Sequence, residues 1–317
     1  AHKQMNITNY AFTELKLSQP VGNMVVTEPV IKDNDWKYLQ IYGGNYKIEF
    51  DKHEGWLVSY CVNGTNYLTE DGKLTPNFWR APTDNDYGAQ LQHKYSIWRN
   101  PRMKLDSLKY EVKNNVAYVS AQYSVQQVSA KLQMNYEIDF AGNIIVSQKF
   151  IASPTEKVTE MFRFGMQMQI PESFSLVEYY GRGPYENYID RNNSANIGVY
   201  KQTVEEQFYS YIRPQENGLK TDVRYWKVLN KGGKGLMFTA EEAFSASALN
   251  YSIESLDDGR EKDQRHSPEV EKAGYTNFCI DKLHMGLGCV TSWGAMPLPQ
   301  YRIPYKDYTF KFKISPL

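Results

Sequence analysis

From Tyr38 onward the chain alternates apolar and polar residues in short runs that stop at Gly, Asn or Asp. That period of two leaves few folds open. "YLQIYGGNYKIEFDKHEGWLVSYCVNGTNYL" breaks at Gly-Gly, His-Glu-Gly and Asn-Gly, the punctuation of successive hairpins. "LKYEVKNNVAYVSAQYSV" turns at Asn114-Asn115, and "KLQMNYEIDFAGNIIVSQKFIA" turns at Ala-Gly-Asn. "FRFGMQMQI", "VRYWKVLNKGGKGLMFTA", "FSASALNYSI", "TNFCIDKLHMGLG" and "YTFKFKI" continue the pattern. Helical spacing is confined to "YGAQLQHKYSIWRN" and "KDQRHSPEVEKAG". So many strands with so few helices predict an all-β fold of two large stacked antiparallel sheets.

The chain's 317 residues suit either two domains or one large all-β domain with a small attachment. Residues 9–35 read as the last strand of a preceding module and a linker, placing a boundary between residues 1–36 and 37–317. An opening without an initiator Met suggests a piece of something longer. Long loops carrying Pro, Gly and charge run from Thr75 to Arg102, Gly181 to Ser194 and Arg213 to Asp222, and such loops on a rigid sandwich are where sites are placed.

Lys plus Arg and Asp plus Glu balance at 36 each, which gives no electrostatic case for nucleic acid or an anionic membrane. No apolar run is long enough to span a bilayer. Cys61, Cys279 and Cys289 are too scattered for a disulfide framework and read as buried thiols. None of the five histidines has metal-ligand spacing, and there is no P-loop, nucleotide-binding glycine motif or nucleophile elbow. The aromatic content, 25 Tyr, 14 Phe and 6 Trp, suits strands and also suits surfaces that stack on sugar rings.

Asp84-Asn85-Asp86 in "PNFWRAPTDNDYG" lacks the Gly and Glu spacing of a calcium loop, so its carboxylates read as caps on a turn. Glycoside hydrolysis needs two facing carboxylates. Glu186 and Glu216 are the candidates by context, but each has arginines close by: Arg182 or Arg191 for the first, Arg213 for the second. An ion-paired carboxylate is a poor general acid, so structural pairing fits both better. Trp293, in "GLGCVTSWGAMPLPQY", is flanked by small and turn-forming residues, a setting that presents an indole to a sugar, with burial against the core as the alternative.

In their order, "PNFWRAPTDNDYG", "YYGRGPYENYIDRNNSANIGVY", "YIRPQENGLKTDVRYWKV" and "LHMGLGCVTSWG" resemble the C-terminal domain of the large β-galactosidases of glycoside hydrolase family 2. The resemblance extends from about Tyr38 to the C-terminus, and the segment before it resembles the end of the preceding immunoglobulin-like domain. It implies a β-supersandwich like that of galactose mutarotases. It further implies a domain that packs on a catalytic (β/α)₈ barrel holding both catalytic glutamates and a magnesium ion. No catalytic residue, metal or cofactor would then belong to this chain, since nothing in it resembles the barrel. The implied role is one wall of the active-site mouth, where Trp293 matches a substrate-stacking tryptophan. Asp84, Asn85, Asp86 and Gly88 would form the edge loop, with Arg80 fixing the corner. Val290-Thr291 stand where some members have an acidic pair, and "AQLQHKY" after Gly88 departs from well-known members. The compartment, cytoplasmic or periplasmic, stays open. A stand-alone carbohydrate-binding module and a mutarotase-like epimerase are the alternatives, although neither His266 nor His284 has an identifiable acid partner in the sequence.

Overall fold

The computed structural model describes Phe12, residues 14–17 and residues 26–317. Most of the expected immunoglobulin-like remnant lies outside these residues. Alternation builds two antiparallel sheets of unequal size. The smaller has five strands in sequence order: β1 (Val30–Lys32), β2 (Tyr38–Tyr42), β3 (Tyr46–Asp51), β4 (Leu57–Val62) and β5 (Thr65–Asn66). β1 lies upstream of the expected boundary and pairs with β2, Ile31 opposite Ile41.

The larger sheet has 12 strands. They are β6 (Thr75–Asn77), β7 (Met103–Lys113), β8 (Val116–Val125), β9 (Ala130–Ile138), β10 (Ile144–Ile151), β11 (Arg163–Pro171) and β12 (Leu176–Gly183), then β13 (Asn196–Thr203), β14 (Lys220–Leu229), β15 (Gly235–Leu249), β16 (Tyr275–His284) and β17 (Tyr308–Pro316). Its main path runs β13-β12-β14-β15-β17-β10-β9-β8-β7, and a branch carries β16, β11 and β6. The branch starts in β15, a single strand of 15 residues where the sequence suggests two. Leu236–Ala240 pairs with β17, whereas Ser245–Leu249 pairs with β16. The step between the two partners falls at Glu241-Glu242-Ala243, where solvent-facing carboxylates separate two apolar halves.

Period-two burial is strict in β9, whose Ala130, Leu132, Met134, Tyr136 and Ile138 all face inward. The small sheet packs on this face: Phe50 meets Tyr136 edge-on at 4.8 Å, and Trp56 stacks on Tyr123 at 4.2 Å. Tyr60 Oη donates to the Gly142 carbonyl at 2.7 Å and ties the sheets together. Among the described residues helix is limited to α1 (Asp84–Gly88), α2 (Leu91–Lys94) and α3 (Ile253–Leu256), plus short 3₁₀ turns. One such turn, Ser267–Glu269, is all that forms in "KDQRHSPEVEKAG". No helix among the described residues is long and apolar enough to cross a membrane.

Candidate functional site

The loops after β6, β12 and β16 and the segment before β14 meet at one end of the larger sheet. α1 begins at Thr83, whose Oγ1 accepts the Asp86 N–H at 3.2 Å while Asp86 Oδ2 accepts the Thr83 N–H at 2.9 Å. This reciprocal cap explains why "TDND" starts a helix. Asp86 also takes both ends of the fully buried Arg80 guanidinium, Nε at 3.0 Å and Nη2 at 2.8 Å. Arg80 Nη1 then donates to the Met285 carbonyl at 2.7 Å. One arginine thus joins the corner after β6 to the loop after β16, the loop that carries Trp293. Asp84 does not share in this. Its carboxylate meets Lys262 Nζ at 2.6 Å.

Trp293 projects from that loop 67% exposed, and its Nε1 donates to the Asp84 carbonyl at 3.1 Å. Gly88 lies against the indole: a Cβ there would sit 2.8 Å from Trp293 Cε2 and 2.9 Å from Gly294 Cα. Gly88 is therefore required by close approach. Cys289, on the same loop, is exposed, and Cys61 is only partly covered, so of the three cysteines only Cys279 is a buried thiol. Cys289 sits in a turn with φ 63°.

Glu186 and Glu216 are held in separate networks. Glu186 accepts from Arg191 Nη2 at 2.9 Å, from the Gly218 N–H at 2.8 Å and from Tyr211 Oη, bracing two loops. Arg182 pairs with Asp222 instead. Glu216 is 6% exposed, its ion-pair partner is Arg163 Nη1 at 3.7 Å, and His284 Nε2 lies 3.6 Å away. The expected Arg213 pairing does not form, because the Glu216 side chain enters the core toward β11 and β16. Burial, the largest influence, would raise the Glu216 pKa, but Arg163, His284 and Arg80 together outweigh it and hold the carboxyl below its ordinary value. Burial lowers the His284 pKa, so the imidazole is neutral and Arg163 is the cation that balances Glu216.

Arg163 and Asp281 are the residues that sequence reasoning missed, and His284, read as lacking an acid partner, lies 3.6 Å from Glu216. Each is a charged or polar residue at an inward position of an apolar strand, which was the available signal. Gly165 was a second: a Cβ there would lie 2.2 Å from Asp281 Oδ1, so the glycine makes room for the carboxylate. A cavity of about 570 Å³, lined by Trp79, Trp98, Arg99 and Asp257 among others, contains none of the predicted site residues. Among the described residues no three His, Cys, Asp or Glu side chains come together as a metal site. The Asp84 and Asp86 carboxylates are committed to cations of the protein itself.

Lys220, at the start of β14, is buried and donates to the Gln207 side chain and the Gly218 carbonyl, both at 2.9 Å, with no carboxylate in contact. Burial lowers its pKa from 10.5 to about 7, with only a weak opposing pull from Glu186. Between pH 7 and 10 the unfolded chain binds a proton that the folded chain does not, so stability rises with pH in that window. Urea unfolding at pH 7.5 and 9.5 should differ by about 2–3 kcal/mol in favour of the higher pH. Lys220→Met should flatten the difference, and an equal slope in the variant would exonerate Lys220.

Residues 42–314 match the protein-family model described as "Beta galactosidase small chain". The chain belongs to the β-galactosidase small-chain family. Among its relatives, the β-galactosidase of Lactobacillus delbrueckii subsp. bulgaricus is 33% identical over 297 residues, which is 91% of this chain and 28% of that protein. The β-galactosidase of Priestia megaterium is 31% identical over 291 residues, 90% of this chain and 27% of that protein. The small-chain sequence thus spans little more than a quarter of the curated relatives it matches. Among solved structures, a galactose 1-epimerase from Lactobacillus acidophilus shares 8% identity at a TM-score of 0.49, covering 92% of this chain and 99% of that one. A putative mutarotase from Salmonella typhimurium shares 13% at 0.41, covering 94% and 96%.

Proposed function

We propose that the chain is the non-catalytic C-terminal part of a retaining β-galactosidase. Its partners are the immunoglobulin-like domains of the parent chain, one of them directly before it, and a (β/α)₈ barrel that supplies the two glutamates of glycosyl transfer and holds the magnesium ion. The chain's own part is to wall the mouth of the site, where Trp293 stacks on the apolar face of a terminal β-galactoside. The observation that carries this reading is the exposed indole of Trp293, hydrogen-bonded to the Asp84 carbonyl and lying against Gly88, in a chain whose candidate carboxylates are both neutralised by internal cations.

The surface around Trp293 supports a docked partner. Of the 12 large apolar side chains exposed among the described residues, seven (Tyr185, Ile189, Tyr209, Ile212, Val290, Trp293 and Leu298) come from three loops of this one end. Such concentration marks a protein interface. Ile212, 79% exposed, makes the sharpest test. Ile212→Asp should leave the thermal midpoint of the chain nearly unchanged, yet weaken assembly with the barrel portion by roughly 30-fold. Unaltered assembly would move the interface elsewhere.

The decisive experiment is hydrolysis of a chromogenic β-galactoside by the purified chain, alone and mixed with the separately expressed barrel portion. The proposal requires no turnover alone and activity on mixing. Turnover by the chain alone would return Glu186 and Glu216 to the chemistry. Binding of free galactosides by the isolated chain, without complementation, would favour a carbohydrate-binding module.

A further inference from the structure

The loop bearing Trp293 has little to hold it in one shape. It pairs with no strand, and Gly288, Cys289 and Gly294 all take left-handed conformations, with φ of 72°, 63° and 79°. Within residues 288–295 the backbone makes two bonds, from the Cys289 N–H to the Ala295 carbonyl and from the Ala295 N–H to the Ser292 carbonyl, both at 3.0 Å. A segment so poor in internal bonds loses conformational freedom only if something outside it fixes its stems.

Arg80 and Asp190 hold the first stem, at the Met285 and Gly286 carbonyls and the Gly288 N–H, and one side chain reaches both stems. Asn85, in the first turn of α1, donates from Nδ2 to the carbonyls of Leu287 (2.9 Å) and Ala295 (3.0 Å), one on each stem of the loop. Its Oδ1 accepts the N–H of Gly294, the residue next to the indole, at 2.7 Å. Both donors and the acceptor of one amide are thereby spent on the loop, a pattern that no other side-chain type of this size can supply. The residues on either side of Asn85 in α1 complete the seat: the Asp84 carbonyl takes the indole N–H, and Gly88 lies against the ring.

We infer that Asn85 is the positioning residue for Trp293, the group that sets the height and tilt of the indole at the site mouth. The inference rests on the reading of Trp293 as the substrate-stacking residue, and it assigns Asn85 no contact with substrate. Asn85→Ala removes all three bonds. Asn85→Asp keeps the acceptor for Gly294 but loses both donors and turns a charge toward two carbonyls.

The test labels the full chain with 5-fluorotryptophan and assigns the Trp293 ¹⁹F resonance by Trp293→Phe. In Asn85→Ala the Trp293 resonance should move and sharpen while the other five of the six tryptophans keep their positions, which also shows that the variant is folded. Asn85→Asp should give an intermediate shift. In the reassembled enzyme, Asn85→Ala should raise KM roughly 10-fold with kcat less affected. Adding Trp293→Ala should then cost no more than Trp293→Ala alone. An unmoved Trp293 resonance in Asn85→Ala overturns the inference whatever the kinetics. A moved resonance with unchanged KM upholds Asn85 as the clamp and sinks the stacking role of Trp293, so the two failures are separable.

Discussion

Arg163→Met is expected to cost the fold about 3–5 kcal/mol, because it strands two buried carboxylates at once. Arg163 Nη2 meets Asp281 Oδ2 at 2.6 Å, and Nη1 lies 3.7 Å from Glu216 Oε2. All three side chains are withdrawn from water. The methionine fills much of the volume, so the loss measures the missing charge rather than a cavity. Urea unfolding at neutral pH should show a lower midpoint at unchanged slope. Without their cation the carboxylates bind protons more tightly folded than unfolded, so the deficit should shrink as pH falls toward 4. In the Arg163→Met background, Asp281→Asn should recover part of the loss by removing one stranded charge. A midpoint equal to the wild type would mean that the pair contributes nothing to folding.

The same residues show what a sequence of this kind displays and what it conceals. Strand existence is legible wherever one face is buried, as in β9, and so is the turn at Asn114-Asn115, whose φ values of 53° and 61° are those that asparagine tolerates. β12 and β13 are harder to see, because Gly181 and Gly183 imitate turn signals. Both glycines answer close approaches instead: a Cβ on Gly183 would lie 2.1 Å from Oη of Tyr179 on the same strand, and one on Gly181 3.0 Å from Val223 Cα on β14. The all-β class is therefore readable from local pattern, while the branch of the larger sheet at β15 is not, because it depends on two distant partners for one strand.

The site divides along the same line. Arg80 and Asp86 lie within one corner, so their pairing follows from spacing and turn chemistry. Glu216 has Arg213 as its neighbour in sequence but Arg163 and His284 as its neighbours in space, and only the pairing of β11 with β16 brings those two together, Arg163 opposite His284. Gly88 and Trp293 stand far apart in the chain, and their contact exists because Arg80 and Asn85 both reach across to the loop after β16. Local carboxylate–arginine spacing is thus a sound guide within a turn and a poor one at the mouth of a sandwich, where the side chain can point into the core.

Trp293→Ala is the counterpart of Arg163→Met: nearly silent in the fold, large in function. With two thirds of the side chain in solvent and a single hydrogen bond to Asp84, its removal should change stability by no more than about 0.5 kcal/mol. In the reassembled enzyme the lost stacking area is expected to weaken substrate binding by about 1.5–3 kcal/mol, or roughly 10- to 100-fold in KM. On the proposed function the catalytic glutamates lie on a separate barrel and are untouched by the change, so kcat should fall much less, and Trp293→Phe should recover part of the affinity through its remaining ring face. A variant that lost kcat at constant KM would place Trp293 in transition-state stabilisation instead of substrate binding, and one with both constants unchanged would take the indole out of the site altogether.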